Sequence, residues 1–149
     1  MPQNFSLLAR RGTRGLPPPQ PIDFASLEVP SSPNWALAAP PGGTTLPHTA
    51  IPLLPVTPAE AWEVVSRLGN QFPRTWPHRT FPETMQAHWV VRTRLMNYPD
   101  LVTAEVVELP GGAGLWLYSR SVLGYSDLGV NGRRVAAWIA ALTPALRTA

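Results

Sequence analysis

The chain has 149 residues without a cysteine, and 44% of the residues are hydrophobic. This length predicts one domain with its own core, and the missing cysteines exclude disulfides, a thiolate nucleophile and a cysteine-based zinc site. All 12 basic residues are arginine, and nine acidic residues leave a net charge of +3. Three arginines and no acid fall in residues 1–20, so the remainder is neutral. That division argues against nucleic-acid binding, which uses a basic stripe on the fold itself.

The first 30 residues predict an extended, Pro/Arg-rich arm. Prolines cluster at residues 17–21, and such a segment cannot form a core by itself. We therefore divide the chain into an arm at residues 1–30 and one folded domain at residues 31–149. Residues 22–29 carry the apolar side chains that could lay the arm on the body. The arm is either a loose tail or a segment that lies along a partner.

The next segments lead to the first helix. Residues 31–47 are a Pro/Gly-rich connection, and two prolines make residues 48–56 a short edge strand. A Thr-x-x-Glu capping box at Thr57 starts a helix, which ends at Gly69. Three prolines within residues 73–82 predict a loop.

Alternating apolar and polar residues then predict three strands, at Thr84–Met96, Leu101–Leu109 and Leu115–Val122. The second helix has Asn131 as N-cap and an apolar stripe, and it should stop at Thr143 before a proline. The order β-α-β-β-β-α predicts an α+β two-layer sandwich, an antiparallel sheet with two helices on one face.

One face of this sheet is the candidate binding surface. Hairpins symmetric about residues 98 and 112 would bring His88 together with three arginines and two aromatic rings. Guanidinium groups pair with carboxylates and stack on rings, so this face and the arm could bind an anionic ligand or an acidic partner. The candidate partner-binding residues are Arg10, Arg11, Arg14, Phe24, Trp35, Arg92, Arg94, Trp116, Tyr118 and Arg120. The alternative is a solvated face whose arginines pair with Glu105 or Glu108, and a one-residue register slip would disperse the patch.

The most distinctive segment runs from Tyr118 to Leu142 as a strand, a polar turn and a helix. Ser126 beside Asp127 suggests hydrolase chemistry, but a serine nucleophile needs a base within reach, and no histidine is nearby in the sequence. We therefore assign a structural role to Ser119, Ser121, Gly124, Ser126, Asp127, Gly129, Asn131 and Arg134.

This segment resembles the signature of the bacterial domain of unknown function 1499 family, S-x-S-x-x-G-x-S-D-L-G-V-N-x-x-R-V. Weaker landmarks are SPNWALAAPPG at residues 32–42, FPRT at 72–75 and YPD at 98–100. Relatives often carry cysteines near the Pro/Gly segment, where this chain has Ala39 and Thr44. The resemblance implies a fold and no activity.

Three functions stay open. The first is a non-enzymatic accessory protein that docks onto a larger assembly, membrane-associated or not, through its arm and the arginine–aromatic face. The second is a carrier of a small ligand or lipid between sheet and helices, with a cavity lined by Trp62, Met85, Trp89 and Trp138. An enzyme is least favoured, because neither a nucleophile–base pair nor metal-ligand spacing is present.

No cofactor, metal or nucleic acid is expected. No apolar run is long enough to span a bilayer, and the N-terminus does not have the order of a secretory signal. We expect a cytoplasmic protein, with peripheral contact to an anionic membrane at its inner face as an alternative.

Overall fold

The computed structural model describes residues 6–124 and 127–147. Its centre is a six-stranded sheet formed by β1 (Trp35–Ala39), β2 (Thr49–Ala50), β3 (Thr75–Phe81), β4 (Gln86–Arg92), β5 (Pro99–Leu109) and β6 (Gly112–Ser121). The spatial order is β2-β1-β6-β5-β4-β3. Strands β1 and β2 are parallel, and all other neighbours are antiparallel. The predicted α+β fold is confirmed, although the sheet is mixed.

Two α-helices, α1 (Pro58–Val65) and α2 (Val130–Arg147), cover one face of the sheet. Single 3-10 turns lie at Phe24–Ser26, Leu68–Gln71 and Pro82–Thr84. The predicted capping box at α1 is present, with Thr57 Oγ1 accepting from Glu60 N at 3.2 Å and Glu60 Oε2 accepting from Thr57 N at 3.0 Å. No helix in the described part of the chain has the length and apolar character needed to cross a membrane.

The main core lies between the sheet and the helices. Leu115 and Leu117 of β6 and Trp89 of β4 point into it, and Trp138 of α2 meets the Trp89 ring edge-on at 5.2 Å. Burial of each such side chain stabilises the fold by about 1.5–3 kcal/mol. The space predicted for a carried ligand is therefore occupied by packed side chains.

Two strands are absent from the sequence prediction. β1 lies inside the predicted Pro/Gly connection, where its residues 35–38 pair with β6 and the small residues Ala38 and Ala39 are fully buried. β3 contains Pro77, which the sheet tolerates because β3 is an edge strand, and its pairing shifts between Pro77 and Arg79. A strand prediction that excludes proline misses such an edge.

Three predicted boundaries are wrong. Strand β4 ends at Arg92 instead of Met96, since Thr93 O accepts from Asn97 N and closes a turn. The hairpins centre near residues 95.5 and 110.5 instead of 98 and 112. Helix α2 continues through Pro144 to Arg147, and Leu146 of this extension packs against the core.

Candidate functional site

The strand–turn–helix signature forms a buried polar cluster that joins β6, β1 and α2. Asn131 is fully buried, and its Oδ1 accepts from Ser119 Oγ at 2.6 Å. Its Nδ2 donates to Ser121 Oγ at 2.9 Å and to the Asn34 backbone oxygen at 3.0 Å. These bonds tie the helix start to β6 and to the segment before β1, and Nδ2 also donates to Asp127 Oδ2 at 2.6 Å. The geometry agrees with a structural role for the motif.

Asp127, and not the predicted Asn131, caps helix α2. Its Oδ1 accepts from Gly129 N at 2.8 Å and its Oδ2 from Asn131 N at 3.0 Å. Burial alone would raise the pKa of Asp127, but the hydrogen bonds from Asn131 and Gly129 outweigh it and lower that pKa. Ser126, the other half of the suggested hydrolase pair, lies outside the described residues.

Asp100 and Arg134 form a buried ion pair at the same cluster. Arg134 Nη1 lies 2.8 Å from Asp100 Oδ2, and the side chains are 10% and 2% exposed. Burial raises the pKa of Asp100, and the Arg134 guanidinium offsets part of this effect. Arg134 Nη1 also contacts Ser119 Oγ and Asn131 Oδ1 at 3.2 and 3.0 Å. The pair is thus part of the buried polar cluster that joins the sheet to α2.

On the opposite face of the sheet lies the arm, which Arg92 binds at its beginning. The Arg92 guanidinium donates to Gly12 O at 3.0 Å, Leu7 O at 2.6 Å and Arg14 O at 3.3 Å. Arg92 is 1% exposed. The Arg92 side chain, which was predicted to bind a partner, therefore donates its hydrogen bonds to backbone carbonyls of its own chain.

Farther along, Gln86 and two aromatic rings hold the arm. The Gln86 amide accepts from Ile22 N and donates to Ile22 O, both at 2.8 Å. The Phe24 ring stacks on Trp116 with centroids 5.1 Å apart and meets Tyr118 edge-on at 6.5 Å. These contacts form a second apolar cluster on this face. The arm is therefore packed as part of the folded body.

Between these two attachment points, the proline run bridges a cavity of about 320 Å³. Residues 16–22 form one wall, and the sheet with the adjoining edge of β3 forms the other. The sheet contributes Leu101, Thr103 and Tyr118 to the lining. Three further lining residues carry an imidazole or a guanidinium: His78, His88 and Arg120. This volume falls at the lower end of the range typical of small-molecule pockets. We call it the arm–sheet cavity.

Among the side chains that line the arm–sheet cavity, Arg120 carries a permanent charge. Burial, followed by the positive charges of His78, Arg120 and Arg79, lowers the pKa of His88 to about 4. Burial also lowers the pKa of His78. Both imidazoles are therefore neutral at physiological pH. Arg120 is half-buried, and among the described residues no acidic side chain lies within 4 Å of it.

The His88 ring lines the cavity in a fixed orientation and is not available as a general base. Gln86 Oε1 already accepts from Ile22, so the 2.7 Å contact makes His88 Nε2 the donor. His88 Nδ1 then accepts from Thr103 Oγ1 at 3.0 Å. Both ring nitrogens are satisfied, which leaves neither free for proton transfer.

The structure separates the predicted binding residues into three groups. Trp116, Tyr118 and Phe24 pack on each other, and Trp35 lies half-buried beside Tyr118 at 6.4 Å. Only Arg120 lines the arm–sheet cavity as a charged group. The remaining five divide between burial and solvent: Arg92 is buried, whereas Arg10, Arg11, Arg14 and Arg94 are exposed.

Sequence reasoning missed several residues around the cavity. Thr103 and Leu101 share a face with His88, because the true register pairs His88 with Thr103 and Thr103 with Tyr118. Period-2 alternation in β5 is the signal that could have found them. Nothing in the sequence marks Gln86, a buried polar residue in a central strand. No group of three metal-ligating His, Asp or Glu side chains exists among the described residues.

Comparison with known proteins yields a family match. A family model described as "Protein of unknown function (DUF1499)" matches residues 18–142, which include the second half of the arm, the whole sheet and most of α2. No curated protein and no solved structure matches the chain significantly. Because the match covers most of the sequence, the chain belongs to the DUF1499 family.

Proposed function

We propose that this protein binds a small organic anion with an apolar body in the arm–sheet cavity. The observation that carries the proposal is the position of Arg120, a guanidinium that lines a cavity whose other walls are mainly proline, aliphatic and aromatic side chains, with Gln20, Thr103 and two imidazoles as the other polar groups. Ligand pockets typically combine such apolar walls with few polar groups that fix the orientation of the ligand.

The charge distribution supports an anion. Arg120 carries the permanent charge of the cavity and has no carboxylate within 4 Å among the described residues. The low pKa of His88 keeps that imidazole neutral, and its ring nitrogens are already bonded within the chain. A ligand carboxylate or phosphate would therefore pair with Arg120, while its apolar part lies against the proline run.

Ligand binding accounts for the structure better than docking through the whole arm. Docking through an arm that detaches from the body would have to break the three bonds of Arg92 to the arm and the stacking of Phe24 on Trp116. A carried ligand requires only local movement of residues 16–21, between the two attachment points. We propose a non-enzymatic role because His88, the buried histidine of the cavity, is held by neighbours on both ring nitrogens.

The experiment is an NMR titration with 2-naphthoate and, as a neutral isostere, 2-naphthamide. We expect naphthoate to shift the resonances of Ile22 and Thr103, with much weaker effects from the amide. Arg120→Gln should weaken naphthoate binding about tenfold to a hundredfold, because a charge-assisted hydrogen bond contributes roughly 1.5–3 kcal/mol.

Arg79→Gln is the matched control, since Arg79 is exposed, lies over the Phe81 ring and does not line the cavity. This variant should keep nearly full affinity. Leu101→Trp, which fills the cavity, should abolish binding of both compounds. Equal affinity for naphthoate and naphthamide, or an unchanged affinity in Arg120→Gln, would refute the proposal.

A further inference from the structure

The turn between β4 and β5 presents two large apolar side chains to solvent. Leu95 is 92% and Met96 50% exposed. The turn itself is well bonded, since Asn97 N donates to Thr93 O at 2.9 Å and Tyr98 N donates to Thr93 Oγ1 at 2.8 Å. Adjacent exposed apolar side chains on an ordered turn are typical of a surface that is covered by something else.

The start of the arm rests against this turn and brings arginines to it. Asn97 Nδ2 donates to Leu8 O and to Arg10 O, each at 2.7 Å. Arg74 reaches the same side chain, with its Nη2 donating to Asn97 Oδ1. One groove is lined jointly by Arg10, Arg11, Arg74 and Asn97. Arg94 directly precedes Leu95, so four arginines lie at the end of the molecule that carries the apolar apex: Arg10, Arg11, Arg74 and Arg94.

These arginines are not neutralised within the described residues. No acidic side chain there lies within 4 Å of any of the four. The nearest acids in sequence are directed elsewhere, because Asp100 is buried against Arg134 and Glu83 precedes β4 at the end away from the turn. This end of the molecule is therefore strongly cationic and apolar at its tip, while the remainder of the chain carries the acids.

We propose that this end docks onto the anionic surface of a phospholipid membrane. Leu95 and Met96 enter the boundary between headgroups and acyl chains, and the surrounding guanidiniums bind lipid phosphates. An acidic protein surface would also attract the arginines. The lipid is favoured because a membrane offers acyl chains to the apolar turn and phosphates to the arginines beside it. The inference is independent of the arm–sheet cavity.

The test is co-sedimentation with phosphatidylcholine vesicles, with and without phosphatidylglycerol. We expect the protein to sediment with the anionic vesicles only, and salt should weaken binding. Arg10→Gln/Arg11→Gln should lower the partition coefficient about thirtyfold, since each arginine near an anionic surface contributes about fivefold. Leu95→Ser/Met96→Ser should lower it about tenfold or more through lost apolar burial.

Leu53→Ser/Arg67→Gln is the matched control, because both residues are exposed and lie away from the turn. All the changed side chains are exposed, and thermal unfolding should verify that each variant is folded. Failure to sediment with either vesicle, equal binding to neutral vesicles, or test variants that bind like the control would overturn the proposal. If the protein binds polyglutamate but no vesicles, and Leu95→Ser/Met96→Ser does not change that binding, the partner is an acidic protein surface instead.

Discussion

Gln86 binds the backbone of Ile22 with both ends of its side-chain amide. Its Oε1 accepts from Ile22 N and its Nε2 donates to Ile22 O, each at 2.8 Å. A residue at the start of β4 thus satisfies an arm residue in the way that a neighbouring strand would. Because prolines at 17–19 and 21 donate no backbone hydrogen bonds, this pair fixes the end of the proline run. It thereby sets the wall of the arm–sheet cavity.

Replacing Gln86 should loosen the arm. Gln86→Met conserves volume but leaves Ile22 N–H and C=O without their partner, and two hydrogen bonds contribute about 2 kcal/mol together. Hydrogen exchange at the Ile22 amide should therefore accelerate about thirtyfold. Gln71→Met, at an exposed position, is the control. Unchanged exchange at Ile22 would show that Gln86 does not hold this part of the arm.

Replacing Arg92 should free the beginning of the arm. Arg92→Met removes the guanidinium that donates to Leu7, Gly12 and Arg14. Charge-assisted bonds are about twice as strong as neutral ones, so residues 7–14 should detach. Trypsin should then cleave after Arg14 at least about tenfold faster. The exposed neighbour Arg94→Gln should keep the rate of the parent protein, and equal rates in both variants would contradict this role of Arg92.

His88 should make stability depend on pH. Its pKa is about 4 in the folded chain against 6.5 in the unfolded chain, so the unfolded chain binds more protons between these values. The stabilisation is therefore complete above pH 6.5 and is lost as the pH falls towards 4, by at most about 1.4 kcal/mol per pH unit.

Urea unfolding across this pH range checks the His88 prediction. His88→Gln should remove the additional slope, whereas the exposed control His48→Gln should keep it. Burial raises the pKa values of Asp100 and Glu105, which favours the fold as the pH falls. These carboxyls are the same in both variants, so the difference between the variants isolates His88. Parallel curves would refute the assigned pKa.

Breaking the buried ion pair should destabilise the fold strongly. Arg134→Gln leaves the Asp100 carboxylate buried without its cation, which costs roughly 3–5 kcal/mol. The loss should be smaller below the unfolded pKa of aspartate, where both states are protonated. Arg133→Gln, at an exposed neighbouring position, should be nearly neutral. If Asp100→Asn/Arg134→Gln recovers no stability relative to Arg134→Gln, the pair is not the cause.

The sequence predicts those features that depend on local pattern. The Thr57 capping box, the amphipathic α1 and the inward side of β6 follow from spacing alone, and each is present. β1 and β3 are missed because their strand character depends on neighbours: small alanines fit beside β6, and Pro77 is tolerated only at an edge. Neither the pairing of β1 with β6 nor the edge position of β3 can be inferred from local composition.

The candidate site depends even more on long-range contacts. Phe24 and Arg92 were predicted to bind a partner and instead bind other parts of their own chain. The Phe24 ring stacks on Trp116 of β6, and the Arg92 guanidinium donates to backbone carbonyls of the arm, so both hold the arm on the sheet. Arg120 was predicted to bind a partner and instead faces a cavity closed by the chain's own prolines. The residue types were visible in the sequence, but the covering segment was not.

The most direct test is a crystal structure of the protein with 2-naphthoate. We expect the naphthyl ring between residues 16–22 and the sheet, with its carboxylate within hydrogen-bond distance of Arg120 and with Gln86 still bound to Ile22. Naphthoate at another place, or an empty arm–sheet cavity at a concentration that saturates the NMR titration, would contradict the account. An arm that lies away from the sheet would contradict it as well.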